Sequence, residues 1–360
     1  MMTSRVTNSM LMNTLLSNLS MSLTKMDSLQ NQMATGRKYA HISDDPSALI
    51  YGQAARNKLA RLEHYQKTVE TAQSWLTQAE AGMMELQKVV GNVYEELVSA
   101  GSVKSPDDKK NVAMMIGQLR DHYVDTLNAS YGDRFVFSGY NTPGDFIENG
   151  NPVIKPFEVI DDEIYFNGFN ISQFNKVPAD EFYANLNAEP PLPPYDMLHK
   201  LMNDVITFDV GPGITMPVTM NGIDLVLYTA INEETGLPEI RNTFDVLTDV
   251  YYAVNGNPNA VPPTEPLGTD ELTVKIKTLQ DAQNHLLTKT AEIGGRSRRL
   301  ELLEARYEQD HINYEGMRSD AEDADMAEVI MYLKMAETVY QAALSAGARV
   351  IQPTLMDFLR

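Results

Sequence analysis

The chain has 360 residues, no cysteine, a hydrophobic content of 43% and a net charge of −20. This length suffices for two or three domains, each with its own core. The absence of cysteine excludes a disulfide, a thiolate nucleophile and a Cys-ligated zinc or iron–sulfur site. The acidity argues against sequence-independent nucleic-acid binding, which needs Lys and Arg against phosphates. No apolar run reaches the ~18 residues of a membrane span. The start lacks the compact apolar segment of a secretory signal peptide. Charge is uneven: residues 141–265 hold 19 acidic and 4 basic residues, while the first 40 have a net charge of +3.

In chain order, residues 6–33 come first, with Met12, Leu19, Met26 and Met33 seven apart and Leu15 and Leu29 between them. A narrow stripe of this period predicts an amphipathic helix that buries itself against another such helix. Ser43-Asp44-Asp45-Pro46 offers an acidic N-cap followed by proline at the first helical position. From there Ala55, Leu62, Val69, Leu76, Met83, Val90 and Leu97 keep a strict heptad, predicting a coiled-coil-like helix that ends near Ala100-Gly101. Ser105-Pro106-Asp107-Asp108 repeats the start signal for a helix over about 106–130. Arg134–Ser138 reads as a short strand.

Fifteen of the 18 prolines lie between Pro143 and Pro266. Because proline is excluded from helix interiors, the flanks are free to be long helices and the middle is not. Here the period approaches two. Asn167-Gly168 and Asn221-Gly222, each between apolar runs, both predict hairpins, since a type I′ turn needs positive φ at both central residues. Helices are expected near 196–205 and 239–253, which makes the middle α+β, with stiff Pro-rich connections at 189–194 and 257–266.

Helical periodicity returns at Thr269 with Leu272, Leu279, Leu286, Ile293, Leu300, Tyr307 and Tyr314. Gly316 reads as its stop, and Ser319–Glu322 as a capping box launching the terminal helix. That helix places Met326, Leu333 and Tyr340 at heptad spacing, with Ile330, Ala336, Leu344 and Ile351 beside them.

Motifs of catalysis are missing. The six histidines form no H-E-x-x-H or H-x₃₋₅-H pair, and there is no G-x-S-x-G elbow, P-loop or G-x-G-x-x-G. Gly211-Pro212-Gly213 reads as a turn, and Asp161-Asp162-Glu163 as a solvated acidic turn rather than a calcium loop. Arg296, Arg298 and Arg299 read as a surface that pairs with carboxylates of a neighbouring helix or subunit. Trp75 reads as core or interface. No catalytic, cofactor or metal residue is assigned.

Several segments carry a resemblance. They are Arg5-Val6-Thr7-Asn8-Ser9-Met10, Gln32-Met33-Ala34-Thr35-Gly36-Arg37-Lys38 and Arg134-Phe135-Val136-Phe137-Ser138-Gly139-Tyr140-Asn141-Thr142. Near the other end they are Glu292-Ile293-Gly294-Gly295-Arg296, Glu322-Asp323-Ala324-Asp325-Met326 and the closing run from Gln352 to Arg360. Together they resemble the flagellin superfamily over about 1–142 and 269–360, and within it the hook-associated protein 3 family more than filament flagellin. Ile42-Ser43-Asp44-Asp45-Pro46 departs from the I-N-S-A-x-D-D-A run common in filament flagellins.

The expected fold is α+β and multidomain. A long antiparallel helical bundle or coiled-coil core is built from both chain ends, with an inserted β-rich outer domain. Its divisions are 1–45 with 320–360 as terminal helices, 46–142 with 267–319 as a helical bundle, and 143–266 as an acidic, Pro-rich insert. The expected assembly interface comprises Met12, Leu15, Leu19, Met26, Leu29, Met33, Met326, Ile330, Leu333, Tyr340, Leu344, Ile351 and Leu355. The resemblance implies a non-enzymatic subunit of the bacterial flagellum, without cofactor, exported by the flagellar type III system and placed outside the cell. It implies a ring of copies between hook-associated protein 1 and the flagellin filament, with a flagellar export chaperone as a further partner and no nucleic-acid or membrane partner. Alternatives are filament flagellin itself, a flagellin-type scaffold carrying an adhesin or enzyme insert, and an unrelated coiled-coil scaffold.

Overall fold

The computed structural model describes residues 8–351 apart from 40, 42, 103–104, 133, 140–146, 149–150, 153–154, 190, 192, 204, 233–234 and 257–268. Long helices flank the middle of the described residues: α1 (Asn8–Thr35), α2 (Pro46–Ser102) and α3 (Pro106–Leu127) before it, and α8 (Thr269–Glu322) and α9 (Met326–Ile351) after it. The middle carries α4 (Ala179–Leu186), α5 (Tyr195–Asn203), α6 (Ile223–Val226) and α7 (Thr243–Asn255). Around these run β1 (Ser130–Tyr131), β2 (Arg134–Phe135), β3 (Ile147–Glu148), β4 (Asn151–Pro152), β5 (Phe157–Ile160) and β6 (Glu163–Phe166). The remaining strands are β7 (Phe169–Asn170), β8 (Val177–Pro178), β9 (Thr207–Gly211), β10 (Ile214–Pro217), β11 (Leu227–Ile231) and β12 (Pro238–Asn242). They form small antiparallel sheets, the largest ordered β5-β6-β7 and β11-β12-β8.

The heptads are the core. Ala55, Leu62, Val69, Leu76, Met83, Val90 and Leu97 of α2 are all buried, as are Leu279, Leu286, Ile293, Leu300 and Tyr307 of α8. Burying a large apolar side chain contributes roughly 1.5–3 kcal/mol, so these two series anchor the molecule. Asp45 starts α2 as expected: its Oδ1 accepts from the Ser47 and Ala48 amides at 3.0 Å each. That bonding holds the Asp45 carboxyl below the usual carboxylate range.

Residues 1–64 with 306–360 make one compact unit, and 65–305 make the other. The units therefore divide at 64/65 and 305/306, and the whole Pro-rich segment 143–266 falls in the second unit with most of α2, α3 and α8. Specific contacts explain why that segment packs on the helices. A Cβ at Gly82 would stand 2.8 Å from the Phe137 ring, so the glycine makes room for this buried aromatic against α2. Gly222 N donates to Phe137 O at 2.9 Å. Asn128, just past α3, clamps both backbone groups of Phe157 with its side chain, at 2.9 Å each. Arg120 of α3 lies over the rings of Phe244 and Tyr251 on α7 and bonds Asp162 Oδ1 at 3.0 Å.

The turns sort into those expected and those not. Asn167 and Gly168 have φ of 48° and 78° and close the β6–β7 hairpin as a type I′ turn. Asn221-Gly222 does not form the expected hairpin. Its side-chain Oδ1 accepts from Ile223 N at 2.9 Å and starts the short α6. β10 pairs instead with β9 across Pro212-Gly213, the stretch expected as a turn. Asp161-Asp162, expected as a solvated turn, is also a positive-φ hairpin turn, and Asp162 additionally accepts from Tyr252 Oη at 2.6 Å. Residues 239–253, expected as one helix, split into strand β12 and helix α7, with Asn242 capping the helix. Gly316 does not stop α8, which runs on to Glu322. Asp325 rather than Ser319 caps α9, accepting from Ala327 N at 2.9 Å and Glu328 N at 3.2 Å.

Candidate assembly surface

Helices α1 and α9 lie against each other within the first unit. A Cβ on Gly347 would stand 2.7 Å from Leu15 Cδ2, while Leu29 packs with Val329, Leu333 and Ala336 at the opposite end of the seam. The pair is thus antiparallel. On α1 the covered positions are Leu15, Leu19, Ser22, Met26 and Leu29; on α9 they are Val329, Leu333, Ala336, Tyr340, Ala343 and Gly347. Both sets alternate steps of four and three, the spacing of a helix seam. Small residues at 336, 343 and 347 let the helices approach closely.

The expected interface residues distribute unevenly around this seam. Leu29 and Leu333 are buried, and Leu15, Leu19, Met26 and Tyr340 are part-buried in it. Met12, Met33, Met326, Ile330 and Leu344 are exposed. Ile351 closes α9, and Leu355 lies outside the described residues. Two helices cover only one stripe each, so apolar residues on the remaining faces stay in solvent.

Those remaining faces are rich in apolar side chains that the heptad count passed over. On α9, Met331, Met335 and Val339 are 52%, 57% and 57% exposed; on α1, Leu16 and Met21 are 59% and 67% exposed. With Ile330 and Leu344, the three α9 residues leave apolar side chains exposed outside the seam, beside a polar stripe of Lys334, Thr338, Gln341 and Ser345. Exposed apolar side chains grouped in this way, rimmed by polar ones, are characteristic of a contact surface. Methionine suits such a face because its flexible, polarizable side chain adapts to a partner.

Among the described residues no group of His, Asp and Glu is arranged to hold a metal ion, and no helix is long and apolar enough to cross a membrane. The arginine stretch pairs within its own helix rather than across to another: Arg296 meets Glu292 at 2.5 Å and Arg298 meets Glu301 at 2.6 Å. Trp75 is buried and meets Tyr131 edge-on at 6.5 Å. His285 stacks on Tyr228 and contacts Asp224 O at 2.7 Å; burial pushes its pKa down.

The most perturbed carboxylate is Asp245. Its Oδ1 accepts from Ser172 Oγ at 2.8 Å, and its shielded Oδ2 has no hydrogen-bond partner among the described residues. Burial pushes its pKa up to about 7. Burial also pushes Asp249 upward, but Lys275 at 3.1 Å and Lys176 at 3.2 Å more than offset it and hold that carboxyl below its ordinary value.

Comparison with known proteins bears on the fold. Residues 6–142 match the bacterial flagellin N-terminal helical region. Flagellar hook-associated protein 3 of Escherichia coli (strain K12) is 28% identical over 113 residues, covering 31% of this chain and 36% of that relative. The match therefore spans about a third of the relative's length. A putative flagellar hook-associated protein from Vibrio parahaemolyticus superposes with a TM-score of 0.54 at 15% identity, covering 78% of this chain and 100% of that one. The flagellar junction protein FlgL from Legionella pneumophila superposes with a TM-score of 0.51 at 12% identity, covering 77% and 100%. Residues 6–142 thus match a flagellin N-terminal helical region, and the chain shares the fold of these flagellar hook-associated and junction protein structures.

Proposed function

We propose that this chain is a structural, non-enzymatic subunit of the bacterial flagellum at the hook–filament junction. Copies of it form a ring between hook-associated protein 1 and the flagellin filament, and the ring templates the first flagellin subunits. The terminal helices form the inner, channel-lining layer, the long helices the next, and residues 143–266 the outermost. The chain reaches this position outside the cell through the flagellar type III system, with an export chaperone covering it beforehand. The observation that carries the reading is the apolar surface α9 leaves uncovered once its seam with α1 is made. Such a surface is stabilised when neighbouring copies and flagellin cover it. The likeness to hook-associated protein 3 directs the reading to the junction.

Deleting the chain from its host tests this. Hooks without filaments, with flagellin monomers released into the medium, are the expected outcome. Filaments of normal length would replace the junction reading with that of a minor flagellin, which the match to the flagellin N-terminal region favours.

A further inference from the structure

The turn that follows α1 is zipped to the turn that precedes α9. Gly36, at φ 68°, ends α1. Lys38 N donates to Glu322 O at 2.7 Å, and Ala324 N donates to Gly36 O at 2.8 Å. Arg37 and Asp323 form an antiparallel bridge, and Lys38 Nζ reaches Asp320 O at 2.7 Å. The two terminal helices therefore leave one shared knot of backbone.

Helix α2 grips that knot at the Glu322 side chain. The Glu322 side chain is 3% exposed, and its Oε1 accepts from Arg56 Nε at 2.8 Å and Arg56 Nη2 at 2.6 Å. One helical turn earlier, Gly52 leaves the space the carboxylate fills: a Cβ there would stand 2.7 Å from Glu322 Cγ and 2.9 Å from Cδ. Positions 52 and 56 lie on one face of α2, so the helix offers a hole and, four residues on, a fixed fork of donors. A guanidinium suits this task because both of its donors meet the carboxylate in one plane. The second oxygen, Oε2, has no hydrogen-bond partner among the described residues; Arg318 Nη1 stands 4.0 Å away. The carboxylate thus depends on Arg56 for most of its compensation, since a buried charge without its partner is destabilising.

We infer that Gly52, Arg56 and Glu322 form a joint that sets how the terminal helix pair leaves the long helices, with Glu322 as the positioning residue for the exposed faces of α1 and α9. Glu322 itself touches no assembly partner in this scheme. Removing the joint frees α1 and α9 together while leaving 65–305 as it is. The inference concerns the isolated chain and stands apart from the junction reading.

Amide hydrogen exchange on the full-length monomer tests it. Gly52→Ala, Arg56→Met and Glu322→Gln should each accelerate exchange at 36–38, 320–324 and along α1 and α9 by about tenfold or more. Exchange within 65–305 should stay within about twofold. Arg56→Lys should fail to restore protection, because an ammonium cannot supply the two-donor fork. The control Arg306→Met, which removes an exposed pair with Asp310, should change nothing. Unchanged exchange in all three variants, acceleration spread evenly through 65–305, or wild-type exchange at the unfolded rate over 36–38 and 320–324 would overturn the joint. Failed flagellar incorporation with unchanged exchange would sink the joint while leaving the junction reading intact. Faster exchange with normal incorporation would support the joint, with neighbouring subunits reordering α1 and α9 on assembly.

Discussion

The two ends of α8 use the same periodicity for different purposes. In the 65–305 unit, Leu279, Leu286, Ile293 and Leu300 are almost wholly removed from solvent, within a core that includes Leu76, Met83 and Val90. From residue 306 the chain belongs to the unit of the terminal pair, where the α1–α9 cluster has three large buried side chains, Leu29, Val329 and Leu333, beside Ala336. The first region finds enough apolar surface within the chain to bury its stripes. The second does not: helices of 28 and 26 residues share one thin seam. Isolated helices are marginal in water and take their stability from packing. On the proposed reading, the saturated core fixes the subunit's shape and the unsaturated helix pair is left for neighbours to cover.

Substitution in the saturated core should have the largest effect. Leu286→Asp places a carboxylate at a position with 0% exposure and should cost roughly 3–5 kcal/mol or more, unfolding the 65–305 unit cooperatively in thermal denaturation. A loss confined to α8 would break the contrast between the regions.

A pH effect of nearly that size should reside in the same unit. The folded pKa of Asp245, about 7, lies above the ordinary carboxylate value, so folding takes up a proton between about pH 4 and 7. Stability is therefore highest with the group protonated and falls as pH rises through that window, by roughly 4 kcal/mol at most. Asp245→Asn, which keeps an acceptor for Ser172, should raise the melting temperature at pH 8 and leave it unchanged near pH 4. An equal shift at both pH values would contradict the assignment.

Leu333→Asp should act locally. The lost burial is roughly 1.5–3 kcal/mol, and it should appear as proteolysis of α1 and α9 with the melting of 65–305 unaltered. Melting of both regions together would show that the seam supports the long helices.

How much of this was legible depended on the range of the interaction that decides each feature. The strict heptads of α2 and α8 were visible because burial repeats along one helix. The terminal seam was half visible. Leu29 and Leu333 stand out by hydrophobicity, whereas Ala336, Ala343 and Gly347 matter because they are small, and an apolar count gives them little weight. Asn-Gly foretold one hairpin and misled at the other, because Asn221 spends its side chain on a helix start. The contact of Arg56 with Glu322 spans 266 positions, and neither residue has a local signature. Gly52 likewise carries no turn signal, since its role is to leave room for a distant side chain.

The central claim is that the uncovered face of α9 is covered on assembly. Its most direct test is flagellar incorporation of a Met335→Asp, Val339→Asp double variant in a host lacking the wild-type chain. Both residues are more than half exposed, so the circular dichroism and melting of the monomer should be unchanged. The account predicts that this intact monomer fails to enter flagella and that hooks stay bare. Normal filaments from the double variant would contradict it.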